Sequence, residues 1–570
     1  MRALAPRWRK RRSWGAGEGG QAAFIALMLL ILLIVMAAPL YMLFRQAFQS
    51  RDGAYVGLDN FLQYFETPVW SGAIGHTLFI SLSTTAISAV LAFFYAYALA
   101  RTDMKGRRLY KSVVLLPLFA PTMMHGIGLI YLFGKQGLAT QGLFGLLPSI
   151  DIELYGPTGI ILSEIIYTFP QAFLIFSIAL AMTDFRLYEA AESMGAGKAR
   201  TFVTVTLPSV KYAAISALFV CFTLSFTDFG APAVVGGQYS VLATDIYKKV
   251  IGQQNMRMGA VIGILLTLPA LLAFVVDRMV TSKQQAVLTA KSTPYQVSPG
   301  RWRNAIGHMY CLLIGGSIVL LTAVVVLASL VKVWPYNLTL GWSHYDFSNV
   351  AGEGLAPIWN SIRISLFTAA GGTAMTFLFV YLIEKIRVWP ALRQASYFIS
   401  MLPLALPGLV IGLSYIFFFN APGNPLHFLY GSMAILVLVN IVHFYAVPFL
   451  TASTALKKLD KEFELVSESM NVPFYKTLFR VTIPMSLPAI MEMAMYYFVN
   501  SMVTVSAVIF LYAPDLKPAA IAIVNMDDAG DIAPAAAMSV LIVAVNVAVR
   551  LLYEAGTFRL RRRMEAWQRK

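Results

Sequence analysis

Twelve long apolar runs leave this chain few ways to fold. They lie at approximately 22–46, 74–99, 111–133, 157–182, 210–231, 258–279, 307–331, 360–383, 395–419, 429–454, 486–512 and 535–556. Each is close to the ~20 apolar residues that cross a bilayer as helix. In hydrocarbon every backbone N–H and C=O must be paired inside its own element, so helix is the default for runs of this length. A transmembrane barrel would instead show alternating segments of about ten residues, and this pattern is not in the sequence. The expected fold is an all-α polytopic membrane protein of about twelve spans. Composition agrees: 13% of residues are charged, against roughly 25% in soluble domains. An ordinary cytosolic enzyme, a disordered chain and a disulfide-stapled secreted domain are thereby excluded. The two cysteines, Cys221 and Cys311, both sit inside apolar runs and read as small buried hydrophobes.

The first run follows Arg7, Arg9, Lys10, Arg11 and Arg12. It is longer than the roughly 7–15-residue apolar core of a signal peptide, so it reads as a retained helix. With the N-terminus placed in the cytoplasm, the inside segments hold 35 of the 44 Lys and Arg, and the outside loops and helix ends hold nine. That asymmetry is the positive-inside rule. It predicts a multi-pass protein of the bacterial inner membrane with both termini cytoplasmic. The basic excess needs no nucleic-acid partner; its partner is the lipid bilayer.

The chain is also an internal duplication. Ile80-Ser81-Leu82 returns as Ile364-Ser365-Leu366. Leu116-Pro117-Leu118-Phe119-Ala120-Pro121 returns as Leu402-Pro403-Leu404-Ala405-Leu406-Pro407. Prolines four apart share one face of a helix and favour a kink. The expected organisation is a first six-helix half (1–285), a cytoplasmic linker (286–306) and a second six-helix half (307–570).

The strongest repeat lies in a loop of each half, at 184–208 and 460–484. Glu189-Ala190-Ala191-Glu192-Ser193-Met194-Gly195 is followed nine residues later by Val205-Thr206-Leu207-Pro208. Leu465-Val466-Ser467-Glu468-Ser469-Met470-Asn471 is followed nine residues later by Val481-Thr482-Ile483-Pro484, an offset of 276 throughout. Each loop reads as helix, turn, helix. Asp184 or Thr183 can cap the start. Gly195 can take the left-handed conformation that ends a helix, and Asn471 is the next best residue for it. The second segment is amphipathic, with Phe202, Val205 and Leu207 set against Lys198, Arg200 and Thr201. Such a helix suits the membrane surface or a partner's groove, and two equivalent loops suit a two-fold partner.

The first loop resembles, at Glu189, Ala190, Ala191, Gly195, Leu207 and Pro208, the coupling loop of inner-membrane permeases of binding-protein-dependent ATP-binding cassette (ABC) importers. The second loop departs at Leu465-Val466-Ser467 and at Asn471 but keeps Glu468 and Pro484. The resemblance covers nearly the whole chain as two permease domains in tandem, of the type I importer kind. Fused permeases of this sort resemble ferric-iron and 2-aminoethylphosphonate importers. The stretch from Asp228 to Gly237 with Ala243-Thr244-Asp245-Ile246-Tyr247 looks closest to the phosphonate branch. The resemblance implies two copies of a separate cassette ATPase on the loops, a periplasmic solute-binding protein on the outer face, and ATP held by the partner rather than by this chain.

Two motifs fail on inspection. Gly195-Ala196-Gly197-Lys198 lacks the Gly five positions before Gly197 and the Ser or Thr after the lysine that a phosphate loop needs. Asp228-Phe229-Gly230 has no kinase companions. Six scattered histidines form no metal motif, and no catalytic constellation is present. Polar residues inside spans are costly and default to functional candidates: Asp228, Glu164, His125, Asn440, His443 and Glu492. Each has a plain alternative in interhelical packing. A secondary transporter of two six-helix repeats is the rival reading, but it gives no account of two loops with matched spacing.

Overall fold

The computed structural model describes residues 16–568 apart from 51, 143–147, 286–292, 294, 298, 299, 349–353, 386–389, 461 and 471. Among the described residues, nine helices are long and apolar enough to cross a membrane: Ala23–Ala47, Gly72–Arg101, Pro157–Ala181, Lys198–Thr227, Met256–Met279, Arg301–Leu330, Ala356–Lys385, Phe474–Val503 and Ile532–Phe558. Three further helix pairs complete twelve if each counts as one span. They are Arg107–Phe119 with Thr122–Phe133, Leu392–Ala405 with Gly408–Phe419, and Met433–His443 with Ala446–Lys458.

The proline pairs do more than kink a continuous helix. Their helices turn by 105° in the first half and 110° in the second. Pro117 and Pro403 each sit at the start of a short 3-10 turn, and Pro121 and Pro407 take extended backbone just before the next helix begins. Each pair therefore brackets a break instead of sharing one helical face, because neither proline donates an N–H to carry the ladder across.

The amphipathic segments of the two loops also differ from expectation. Neither is a separate surface helix. Lys198 to Thr227 and Phe474 to Val503 each run as one span. A π-turn, Phe202–Thr206 or Leu478–Thr482, sits just before Pro208 or Pro484. A π-turn widens the ladder where the proline ring would meet the carbonyl four residues back.

The sequence halves interlock. Ile25, Met28, Leu32 and Met36 of the first span are buried with Phe377, Val380 and Tyr381 of the second half. Reciprocally, Cys311 and Ile318 of the Arg301–Leu330 helix are buried with Tyr95, Phe169 and Phe173 of the first half. Late in the chain, Asn546 Nδ2 donates to the Phe119 carbonyl at 2.9 Å. Lipid tails are as apolar as leucine, so such helices associate through close fit and hydrogen bonds. Gly372 against the Tyr497 ring is one such fit, and Thr376 and Tyr497 join hydroxyls at 2.8 Å beside it.

Candidate functional site

Two features stand out: the pair of repeat loops at one end, and a polar cavity where the halves meet.

In the first loop Asp184, not Thr183, caps the Phe185–Ser193 helix by accepting the Arg186 N–H at 3.1 Å. This bond, followed by those from Thr293, holds its carboxyl below the usual aspartate range. The helix ends at Gly195, whose φ is +73°. Gly195 N–H donates to Glu192 O and Ala196 N–H donates to Ala191 O, both at 2.9 Å. Those two bonds are the Schellman closure of a helix end. Ala191 is buried and pins the helix, while Glu189 and Ala190 face outward. Leu207 and Pro208 are exposed at the foot of the next span.

In the second loop the Val472 N–H donates to Ser467 O at 2.9 Å, the same closing bond one repeat later. Asn471 itself lies outside the described residues, as does the Glu468 side chain; Pro484 is exposed like Pro208. Both loops present large apolar side chains to solvent. Leu187, Met194 and Val203 do so in the first, and Leu465, Val466, Met470 and Phe479 in the second, with Met194 80% and Met470 69% exposed. A contiguous apolar surface of this kind marks an interaction site.

The cavity holds about 120 Å³. The first half contributes Thr122, Tyr167, Gln171 and Asp228; the second contributes His443, Asn500, Thr504 and Ser506. Asp228 breaks the Leu207–Thr227 helix, and its carboxylate accepts the Ala231 N–H at 2.9 Å. Among the candidate pathway residues, Asp228 and His443 line this cavity. Glu164 is buried and accepts from the Ser225 hydroxyl. Asn440 is buried and bonded to Ser501. His125 lines a separate, mostly apolar cavity of about 20 Å³ with Met124, Ile166 and Leu321. Glu492 is exposed on its helix and lines neither.

Tyr167 and Gln171 were not singled out from the sequence. The available signal was the repeat: Tyr167 lies 276 residues before His443, and Asp228 lies 276 before Thr504. Equivalent positions of both halves thus meet at one cavity. No group of three or more His, Cys, Asp or Glu suited to a metal occurs among the described residues.

A duplicated helical membrane bundle, with a polar cavity between its halves and an apolar-faced loop on each, is built as a transport permease. The chain belongs to the binding-protein-dependent transport system inner membrane component family, whose model matches residues 86–286 and again 382–562. It is therefore a multi-pass membrane permease of the ABC importer type, with the family domain present twice. It is 27% identical over 490 residues to the ferric transport system permease protein FbpB of Actinobacillus pleuropneumoniae, covering 84% of this chain and 70% of that one. It is 24% identical over 548 residues to a protein of Sinorhizobium fredii named "Probable ABC transporter permease protein y4fN", covering 92% and 94%. A Salmonella typhimurium protein named "Putative 2-aminoethylphosphonate transport system permease protein PhnU" is 26% identical over 265 residues, 46% of this chain and 92% of its own length.

Proposed function

We propose that this permease carries ferric iron inward, driven by two copies of a separate cassette ATPase that dock on loops 184–208 and 460–484. The observation that carries the docking is the pair of loops with the same closing bond and the same unpartnered apolar surface. In this reading a solute-binding protein delivers solute to the face away from the loops, and both termini lie in the cytoplasm, as the division of basic residues supports. Closure of the ATPases on ATP draws the loops together, and the cavity around Asp228 and His443 opens alternately to either side. No covalent step falls on this chain.

The substrate rests on two supports. The ferric relative aligns across most of both halves. Asp228 is also the carboxylate facing the cavity, and a carboxylate favours a cation over a phosphonate. 2-Aminoethylphosphonate is the second reading, favoured by the PhnU relative. Proteoliposomes holding the chain, its ATPase and its binding protein decide between them. ATP-dependent uptake of radiolabelled iron without phosphonate uptake is expected. Phosphonate uptake alone would reverse the assignment, and uptake driven by a proton gradient without ATP would overturn the ATPase reading.

A further inference from the structure

A buried cation closes the long second helix of each half and grips the loop below it. In the first half this is Arg101, the last residue of Gly72–Arg101 and 2% exposed. Its Nη2 donates to the Leu180 carbonyl and to the Tyr188 hydroxyl, both at 3.2 Å, and also to Thr183 Oγ1. Tyr188 stands on the Phe185–Ser193 loop helix, and its hydroxyl pairs at 3.1 Å with Thr206 Oγ1 at the foot of the next span. In the second half the corresponding residue is Lys385, the last of Ala356–Lys385. Its Nζ donates to the Leu459 carbonyl at 3.1 Å and pairs with Glu464 at 3.3 Å. Glu464 stands on the Glu462–Ser469 loop helix.

These are the same positions. Leu459 lies 276 residues after Thr183, and Glu464 lies 276 after Tyr188. Lys385 lies 284 after Arg101, the spacing that also relates Ile80 to Ile364. The partners have changed from hydroxyls and an aromatic ring to a carboxylate, yet the grip persists. A buried cation that loses its partners is left uncompensated, so helix end and loop are held to move together.

The first grip has a third member. Tyr295, from the connector between the halves, stacks on the Arg101 guanidinium at 3.8 Å and meets the Tyr188 ring edge-on at 4.9 Å. Two residues away, Thr293 Oγ1 donates to Asp184 at 2.9 Å, and its carbonyl accepts the Phe185 N–H at 3.0 Å.

We propose that Arg101 and Lys385 are paired positioning residues that carry the movement of each loop into the Gly72–Arg101 and Ala356–Lys385 helices, with Tyr295 stiffening the first of the two. This rests on the reading that the loops dock ATPase subunits. The test reconstitutes the full chain with its ATPase and binding protein and measures ATPase retained, basal hydrolysis, and solute taken up per ATP hydrolysed. Arg101→Met and Lys385→Met should retain the ATPase and its basal hydrolysis. Uptake per ATP should fall at least about fivefold, the low end of typical coupling between sites. Lys385→Arg should stay near wild type, because a guanidinium still pairs with Glu464. Lys385→Glu combined with Glu464→Lys should recover coupling that either change alone loses. Tyr295→Ala should lower uptake per ATP less than Arg101→Met does. Wild-type uptake per ATP in both methionine variants would overturn this inference alone. So would failure of the charge swap to recover what its single changes lose. A wild-type chain that retains no ATPase would overturn the docking reading and this inference with it.

Discussion

Asn440 donates from Nδ2 to Ser501 Oγ at 2.8 Å, and 276 residues earlier Ser225 donates to Glu164. Both pairs join the same two helices of their half, and all four side chains are buried. The repeat therefore preserves a polar tie while exchanging a carboxylate for an amide. A tie that works with an amide in one half does not need a charge in the other. Glu164→Gln should keep ATP-driven uptake and thermal stability near wild type. Glu164→Leu removes the acceptor and should cost about 1–3 kcal/mol, the penalty for a buried group left unpaired. Uptake and unfolding temperature in detergent check both. Loss of transport in the glutamine variant with stability unchanged would point to a proton relay at Glu164 instead.

A second reciprocal pair shapes the cavity wall. A Cβ on Gly230 would overlap Thr122 Oγ1, and a Cβ on Gly408 would overlap Ser506 Oγ. Gly408 follows Thr122 by 286 residues, the spacing of the two proline pairs, and Ser506 follows Gly230 by 276. Each half thus has one glycine and one hydroxyl residue at this contact, in opposite order. Gly408→Ala should destabilise by about 1–3 kcal/mol through overpacking. Adding Ser506→Gly should recover part of that loss, since the His443 ring still stands at 3.1 Å from the new Cβ. Thermal unfolding of both variants reads this out; no recovery in the double variant would remove the contact as the cause.

The spans were legible because length and apolarity alone decide them. The loops were legible because a polar motif recurred between apolar runs. The sharp breaks at Pro117–Pro121 and Pro403–Pro407 were not, since two prolines four apart are compatible with a kink or a break. The cavity was half legible. Polarity within a span selected Asp228 and His443, but it equally selected Glu164 and Asn440, whose polar groups face a neighbouring helix. Polarity does not say which face a side chain occupies. The exchange of first helices between halves was not legible at all, because the hydrophobic pattern of Ile25, Met28 and Leu32 fits either bundle.

The contact between Asp184 and the connector sets a pH expectation. The Arg186 N–H, and then Thr293, hold the Asp184 carboxyl below its ordinary value, which is about 3.9 in an unfolded chain. A depressed pKa contributes stability that is present above the unfolded value and lost as pH falls through the folded one. Protection of the Phe185 amide, which donates to Thr293 O at 3.0 Å, should therefore be flat from about pH 8 to 5 and fall only below about pH 4. Hydrogen exchange corrected for the intrinsic rate measures it. Loss of protection between pH ~8 and ~5 would mean that a group other than this carboxylate controls the contact.

Gly195 gives the sharpest test of the first loop. Its φ of +73° lies in the left-handed region, and a Cβ there would meet nothing within 4 Å. The objection to a side chain is therefore conformational and not steric. A β-branched residue in that region is strained by roughly 1–3 kcal/mol, whereas asparagine tolerates it. The strain falls on an exposed loop, so insertion of the spans should be unaffected and the loss should appear in how the loop is presented. Gly195→Val should reach normal membrane levels yet retain less ATPase and lose most uptake. Gly195→Asn should be milder, since Asn471 holds the equivalent position in the sequence and the Val472 N–H closes onto Ser467 O just as Ala196 closes onto Ala191. Co-purification of the ATPase and solute uptake, measured side by side, separate the two variants. Equal behaviour of Val and Asn would show that the helix end does not depend on a left-handed residue, and wild-type uptake by Gly195→Val would remove the Schellman closure from any role in docking.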